Sequence, residues 1–135
     1  MIKRTILFSS ALILAGVLPA QAAVRMAGGQ WEATMTTDGS TRTVKYCVSA
    51  AEADSLNGDS KTGRDFAEKK ANGRCAIKSF DIKGDKVSSS MLCGARSIEG
   101  TTTYHGDTSE GDLTTTSEGK AVTTHIKARR LGACP

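Results

Sequence analysis

Apolar and polar residues alternate through most of this chain with the two-residue period of β-strands, not the 3.6-residue period of helices. Over residues 30–37 the alternation places Trp31, Ala33 and Met35 on one face. Asp38-Gly39-Ser40-Thr41 then has the chemistry of a hairpin turn. Residues 42–48 resume the alternation with Val44, Tyr46 and Val48 on one face and Cys47 on the other. The two runs predict a β-hairpin.

The period is lost at Ser49. Ser49-Ala50-Ala51-Glu52 has the spacing of a capping box, in which the hydroxyl and the carboxylate each satisfy an amide at a helix start. A short helix is therefore predicted, ending at Asn57-Gly58. A second helical piece is predicted over residues 64–71, ending at Asn72-Gly73. Its apolar face is thin, little more than Phe66, Ala67 and Ala71, so Phe66 is expected to anchor it. Residues 49–72 thus form a polar helical insertion, expected to lie over one end of the sheet.

Between Cys75 and Cys93 the pattern is most informative. Gly84-Asp85 suits a two-residue hairpin turn, because glycine accepts positive φ at its first position. That turn pairs Ile82 with Val87 and Phe80 with Ser89, and extended unchanged it sets Cys75 opposite Gly94. The apolar phase, however, breaks between Ile77 and Phe80, as if one residue were extra. A β-bulge at Lys78-Ser79 restores the phase, so that Ile77 faces Met91 and Cys75 faces Cys93. Those two cysteines are then expected to bridge, which leaves Cys47 to pair with Cys134.

From Arg96 onward strand and turn alternate to the end. Ile98, Gly100, Thr102 and Tyr104 share a face before the turn at His105-Gly106-Asp107. A weak strand over residues 110–116 has Leu113 as its one large apolar residue, and residues 121–131 align Val122, Thr124, Ile126 and Ala128. The abundant threonines suit the wet face of an antiparallel sheet. The predicted fold is mainly β: an antiparallel meander of about seven strands, forming a curled sheet or partial barrel, lipocalin-like in outline.

Composition changes the picture in three ways. Residues 1–22 carry Lys3 and Arg4, an apolar run, Pro19 and a small-x-small site at Ala20-Gln21-Ala22. They read as a cleaved signal peptide, leaving residues 23–135 as a single disulfide-stapled domain in the periplasm or outside the cell. No later apolar run approaches membrane-spanning length. The net charge of +4 falls to +2 without the two leader cations, too little for a nucleic-acid binder. Beyond Ala22 the chain holds only four Ile, four Leu, five Val and two Phe. A core this lean needs its four cysteines as disulfides, and no pair has the C-x₂-C spacing of a zinc site.

Several local motifs together carry a family likeness. Gly29-Gln30-Trp31-Glu32 opens the domain, and Cys47-Val48-Ser49 leads into the Ala/Glu-rich helix. Gly84-Asp85 lies within the Cys75-to-Cys93 hairpin, and Gly106-Asp107 follows Tyr104. Arg129-Arg130-Leu131-Gly132-Ala133-Cys134 closes the chain. In their order these motifs resemble the exported bacterial family catalogued as domain of unknown function 3617, over residues 28–134. Ala128 stands where that family usually has Gly, and the strand at residues 110–116 is unusually polar. The resemblance implies a Gram-negative envelope protein and supplies no activity.

Candidate chemistry is sparse. His105 and His125 are the only histidines, and no G-x-S-x-G motif or metal-ligand spacing accompanies them. They are expected to be exposed and without special role. Asp54, Asp59, Asp65 and Glu68 interleave with Lys61, Arg64, Lys69 and Lys70, the pattern of a solvated helix face. Lys127, Arg129 and Arg130 form a candidate interaction patch for an envelope protein or an anionic lipid headgroup. Trp31 is expected to plug the core. With no nucleophile, base and orienter to assemble, no cofactor or enzymatic activity is expected. The favoured function is a non-enzymatic binding module for an envelope partner or a small apolar ligand held between sheet and helices. Inhibition of an envelope hydrolase is the alternative, followed by a hydrolytic or metal-dependent enzyme.

Overall fold

The structure, a computed structural model, describes residues 24–135; the predicted signal segment, residues 1–22, lies outside the described residues. Two strands, β1 (Gly29–Thr37) and β2 (Ser40–Val48), lead into two helices, α1 (Ala50–Asn57) and α2 (Ser60–Ala71). Five strands follow: β3 (Ala76–Lys83), β4 (Lys86–Cys93), β5 (Arg96–Tyr104), β6 (Thr108–Ser117) and β7 (Lys120–Gly132). All seven join in one antiparallel sheet in the order β2-β1-β7-β6-β5-β4-β3. The sheet is curled and unclosed, with β2 and β3 as its edges and the helices connecting those edges.

Each turn follows from its residues. Asp38 and Gly39 both adopt positive φ, the two-residue form whose twist matches the flanking strands. Gly84 takes positive φ at the first position of the β3–β4 turn. The β3–β4 register shifts between Ile77 and Ser79, so the expected bulge is present, and Ile77 faces Met91. The bulge moves Cys75 level with Cys93, and the structure bonds those two residues. A second disulfide joins Cys47 to Cys134.

The helices depart from expectation in detail. Ser49 caps α1, with both arms of the capping box made: Glu52 N–H donates to the Ser49 hydroxyl at 3.2 Å, and Ser49 N–H donates to the Glu52 carboxylate at 2.9 Å. Gly58 is the C-cap of α1, as expected, with an extended backbone. Helix α2 begins four residues earlier than predicted, because Asp59 caps it by accepting from Thr62 N–H at 2.8 Å. Phe66 is not its sole anchor. Gly63 is the buried residue of α2, and a Cβ there would overlap the Phe80 ring. The missing side chain lets α2 lie flat against Phe80 and Ile82 of β3.

The main core cluster occupies one end of the helix-facing side, and Ile77 and Val87 are buried apart from it on β3 and β4. Trp31 is fully buried, at 0 % exposure, among Met26, Ala33, Val48, Ala53 and Ala128. The segment before β1 closes this end. Arg25 donates to the carbonyls of Leu56 and Gly58 at 2.8 and 2.9 Å, and Asn57 makes two hydrogen bonds to the Met26 backbone. The Trp31 indole donates to Ala27 O at 2.9 Å, and Arg130 donates to Gly28 O at 2.7 Å. The two helices cover the sheet unevenly: α2 follows β3, where Arg64 donates to the buried Ile77's carbonyl at 2.8 Å, but the middle strands at that end stay only partly covered. The sheet face measures about 30 Å by 30 Å from strand spacing and rise, whereas helices of 8 and 12 residues span about 12 and 18 Å.

Candidate functional site

Strand registers assign each side chain to a face. On the helix-facing side, Ile98 of β5 lies beside Met91 of β4 and Thr115 of β6, which in turn faces Val122 of β7. The helices leave these residues only partly covered. Met91 and Ile98 are half-buried, as is nearby Leu113, and Val122 is 40 % exposed.

Between the helices and the sheet lies a cleft of about 240 Å³. Its walls are Tyr46 and Val48 of β2, Tyr104 of β5, Leu56 of α1, Phe66 of α2, and Met26. Tyr46 and Tyr104 arrive by alternation, on the faces that also carry Val44 and Thr102. Phe66 points into the cleft because α2 presents Gly63 to the sheet one turn earlier. Burial pushes both phenols above their ordinary pKa; for Tyr104 the neighbouring Tyr46 adds to the effect, and a hydrogen bond with Thr102 opposes it. The cleft is therefore an aromatic surface edged with neutral hydroxyls at physiological pH. At its mouth Glu52 pairs with Lys70 at 2.6 Å, and the Lys70 ammonium stands 5.7 Å from the Phe66 ring centre.

A larger recess of about 690 Å³ runs beside the Cys47–Cys134 bridge, and Val24, where the described residues begin, forms part of its wall. The outer face carries a shallow dish of about 450 Å³ lined by serine and threonine with Glu99 and Asp112. Hydroxyls there bond one another, as in Ser79 with Ser90 at 2.7 Å and Ser88 with Thr101 at 3.4 Å.

The sequence matches a known family. The family described as a protein of unknown function, DUF3617, covers residues 26–134. The chain belongs to this family. No curated protein and no solved structure matches it.

The DUF3617 sheet separates residues that are close in sequence. Lys127 and Arg129 lie on the outer face, where Arg129 pairs with Glu32 at 2.9 Å and Lys127 stands opposite Glu110. Arg130 points to the other face and holds Gly28 O. The three cations therefore do not form one patch: alternation keeps Lys127 and Arg129 together and turns Arg130 to the opposite face. The helical charges behave as a solvated face, with Lys61 paired to Asp65 and Arg64 to Glu68 at i,i+4 spacing. His105 lies in a loop.

One arrangement was not visible in the sequence. His125 Nδ1 lies 2.7 Å from Asp112 Oδ1, and the register sets Thr36 on the other side of His125. Hydroxyl, imidazole and carboxylate thus follow in the order of a hydrolase triad. The row lies in the middle of an exposed sheet face, where the strand amides are taken up in the ladders. That leaves no pair of free N–H donors to hold an oxyanion. The row brings His125 together with Asp112, 13 residues away, and with Thr36 on β1, far earlier in the chain, so no local motif announces it.

Proposed function

We propose that this DUF3617 chain is a non-enzymatic binding domain of the bacterial envelope, and that it holds a small apolar ligand in the cleft between sheet and helices. The observation that carries this reading is the gathering of Tyr46, Phe66 and Tyr104 around one open cleft. A chain this poor in aromatic residues would be expected to place them in its core. The size of the cleft suits a narrow molecule, and the protonated phenols can supply one or two orienting hydrogen bonds.

Export is part of the same proposal: residues 1–22 act as the leader, and residues 23–135 function as one domain in the periplasm or outside the cell. Two disulfides support this, because such bonds persist in oxidising compartments. Protein recovered from the envelope should have an intact mass starting at Ala23, or one residue later. A species beginning at Met1 would remove this part of the proposal.

Binding is tested with the apolar dye N-phenyl-1-naphthylamine. Its fluorescence should rise on addition of the protein, and the rise should be lost in the Tyr46→Ser and Phe66→Ser variants. The double variant His105→Ala/His125→Ala should behave as the parent does. Loss of binding in the histidine variant, with retention in both cleft variants, would overturn the reading.

A further inference from the structure

Charge divides between the two faces of the sheet. The carboxylates carried by strands are Glu32, Asp81, Glu99, Glu110 and Asp112, and their registers place all five on the outer face. The helix-facing side carries Arg42, Arg96, Lys120 and Arg130 and no strand carboxylate. Arg130 is engaged with Gly28 O. Arg42 is not engaged in this way. Its guanidinium donates to the Met35 thioether at 3.5 Å, a weak acceptor, and it makes no ion pair among the described residues.

Arg42 stands at a recess of about 290 Å³ floored by Met35 and edged by Ser40, Thr37 and Thr124. The Thr37 and Thr124 hydroxyls bond each other at 2.7 Å. From this recess an apolar strip of Met35, Ile126 and Val44, all half-buried against the core, leads to Tyr46 at the cleft. Arg42 and Tyr46 are four residues apart on β2, a separation of about 13 Å.

We infer that cleft and strip together take a single fatty acid, with its tail among Tyr46, Phe66 and Val44 and its carboxylate on the Arg42 guanidinium. The inference rests on the cleft being a site for an apolar ligand; it adds the charge of the head group and its place. The orientation follows from the charges at the two ends. At the cleft end, Glu52 already neutralises Lys70, and a second carboxylate would meet Glu52. At the other end the strands carry no carboxylate on this face, and the bonded Thr37–Thr124 hydroxyl pair leaves one O–H free to donate. Binding exchanges a thioether for a carboxylate as the guanidinium's acceptor, and a charge-assisted pair is the stronger bond.

The test compares three ligands sharing one twelve-carbon chain, each titrated below its micelle concentration and read by calorimetry or native mass spectrometry. Dodecanoate should bind about tenfold more tightly than dodecan-1-ol, and dodecyltrimethylammonium more weakly than either. Arg42→Gln should bring dodecanoate down to the affinity of the alcohol and leave the alcohol unchanged. Arg42→Lys should keep most of the preference, and Arg96→Gln should alter neither ligand. Near-ultraviolet circular dichroism from Trp31 verifies that each variant folds. Equal affinity of acid and alcohol for the parent protein would overturn the fatty-acid inference while the cleft stood. Failure of acid and alcohol alike to bind would overturn the cleft reading itself.

Discussion

The two ends of the helix-facing side are made from the same strands and finish differently. At one end Trp31, Ala33 and Ala128 disappear beneath Met26 and Ala53, and Arg25, Asn57 and Arg130 pin the covering segments. At the other end Met91, Ile98, Leu113 and Val122 are set inward by the same alternation and remain partly uncovered. The difference lies in what is laid over the sheet. The lead-in segment, residues 24–28, and α1 cover the Trp31 end, α2 follows β3, and a disulfide stands near each end. Alternation therefore decides which side chains face inward; the amount of covering chain decides which of them become core.

The largest expected effect comes from removing the bridges. In the chain-entropy view, the Cys47–Cys134 link, with a separation of 87 residues, contributes about 4–5 kcal/mol, and the 18-residue Cys75–Cys93 link about 3 kcal/mol. Their sum rivals the whole stability of a typical domain. Full reduction should therefore unfold the protein near room temperature, seen as loss of the near-ultraviolet signal of Trp31. A folded state that survives strong reductant would show that the core carries more than its area suggests.

The comparison sharpens with one truncation at each end. Trp31→Ala should destabilise by about 3–5 kcal/mol, because it empties a fully buried site. Leu113→Ala, at a half-buried position of the uncovered end, should lose about 1 kcal/mol, since less of its surface leaves water on folding. Urea melts of both variants give the two values, and equal losses would erase the distinction between the ends.

Gly63→Ala probes the boundary between them. A methyl group there overlaps Phe80, so α2 must lift from β3, at a loss of about 1–3 kcal/mol. Phe80→Leu in the same chain should recover part of that loss in the same urea melt.

The smallest effect is at the α1 cap. Ser49→Ala should lose about 1 kcal/mol. The Glu52 carboxyl is held below its ordinary pKa of 4.5, first by its hydrogen bond with Lys70 and next by Ser49 N–H. A depressed carboxyl stabilises the fold fully above that ordinary value, and the contribution is lost as pH falls through the lower folded value. Glu52→Gln should therefore flatten the acid limb of a stability-against-pH curve and leave the neutral region parallel to the parent.

Much of this architecture is legible in the sequence, and the limits have physical causes. Strands, turns and the β3 bulge are legible because each is a local phase relation, as between Ile77, Phe80 and the Gly84-Asp85 turn. The capping box is legible because its two partners lie three residues apart. The first turn of α2 is not, because Ser60-Lys61-Thr62-Gly63 has no apolar period and its glycine answers to a ring 17 residues away. The cleft is hidden for the same reason: Tyr46, Phe66 and Tyr104 meet only after the sheet has curled. The Lys127, Arg129 and Arg130 run misleads, because neighbours in a strand face opposite ways.

The most direct test of the account is a titration of the isotope-labelled protein with dodecanoate, followed by methyl and amide resonances. The account predicts shifts at Met35, Val44, Leu56 and Ile126, along the strip and in the cleft, and none at Leu92 or Leu131 on the outer face. Shifts confined to the outer face, or no shifts at all, would contradict it.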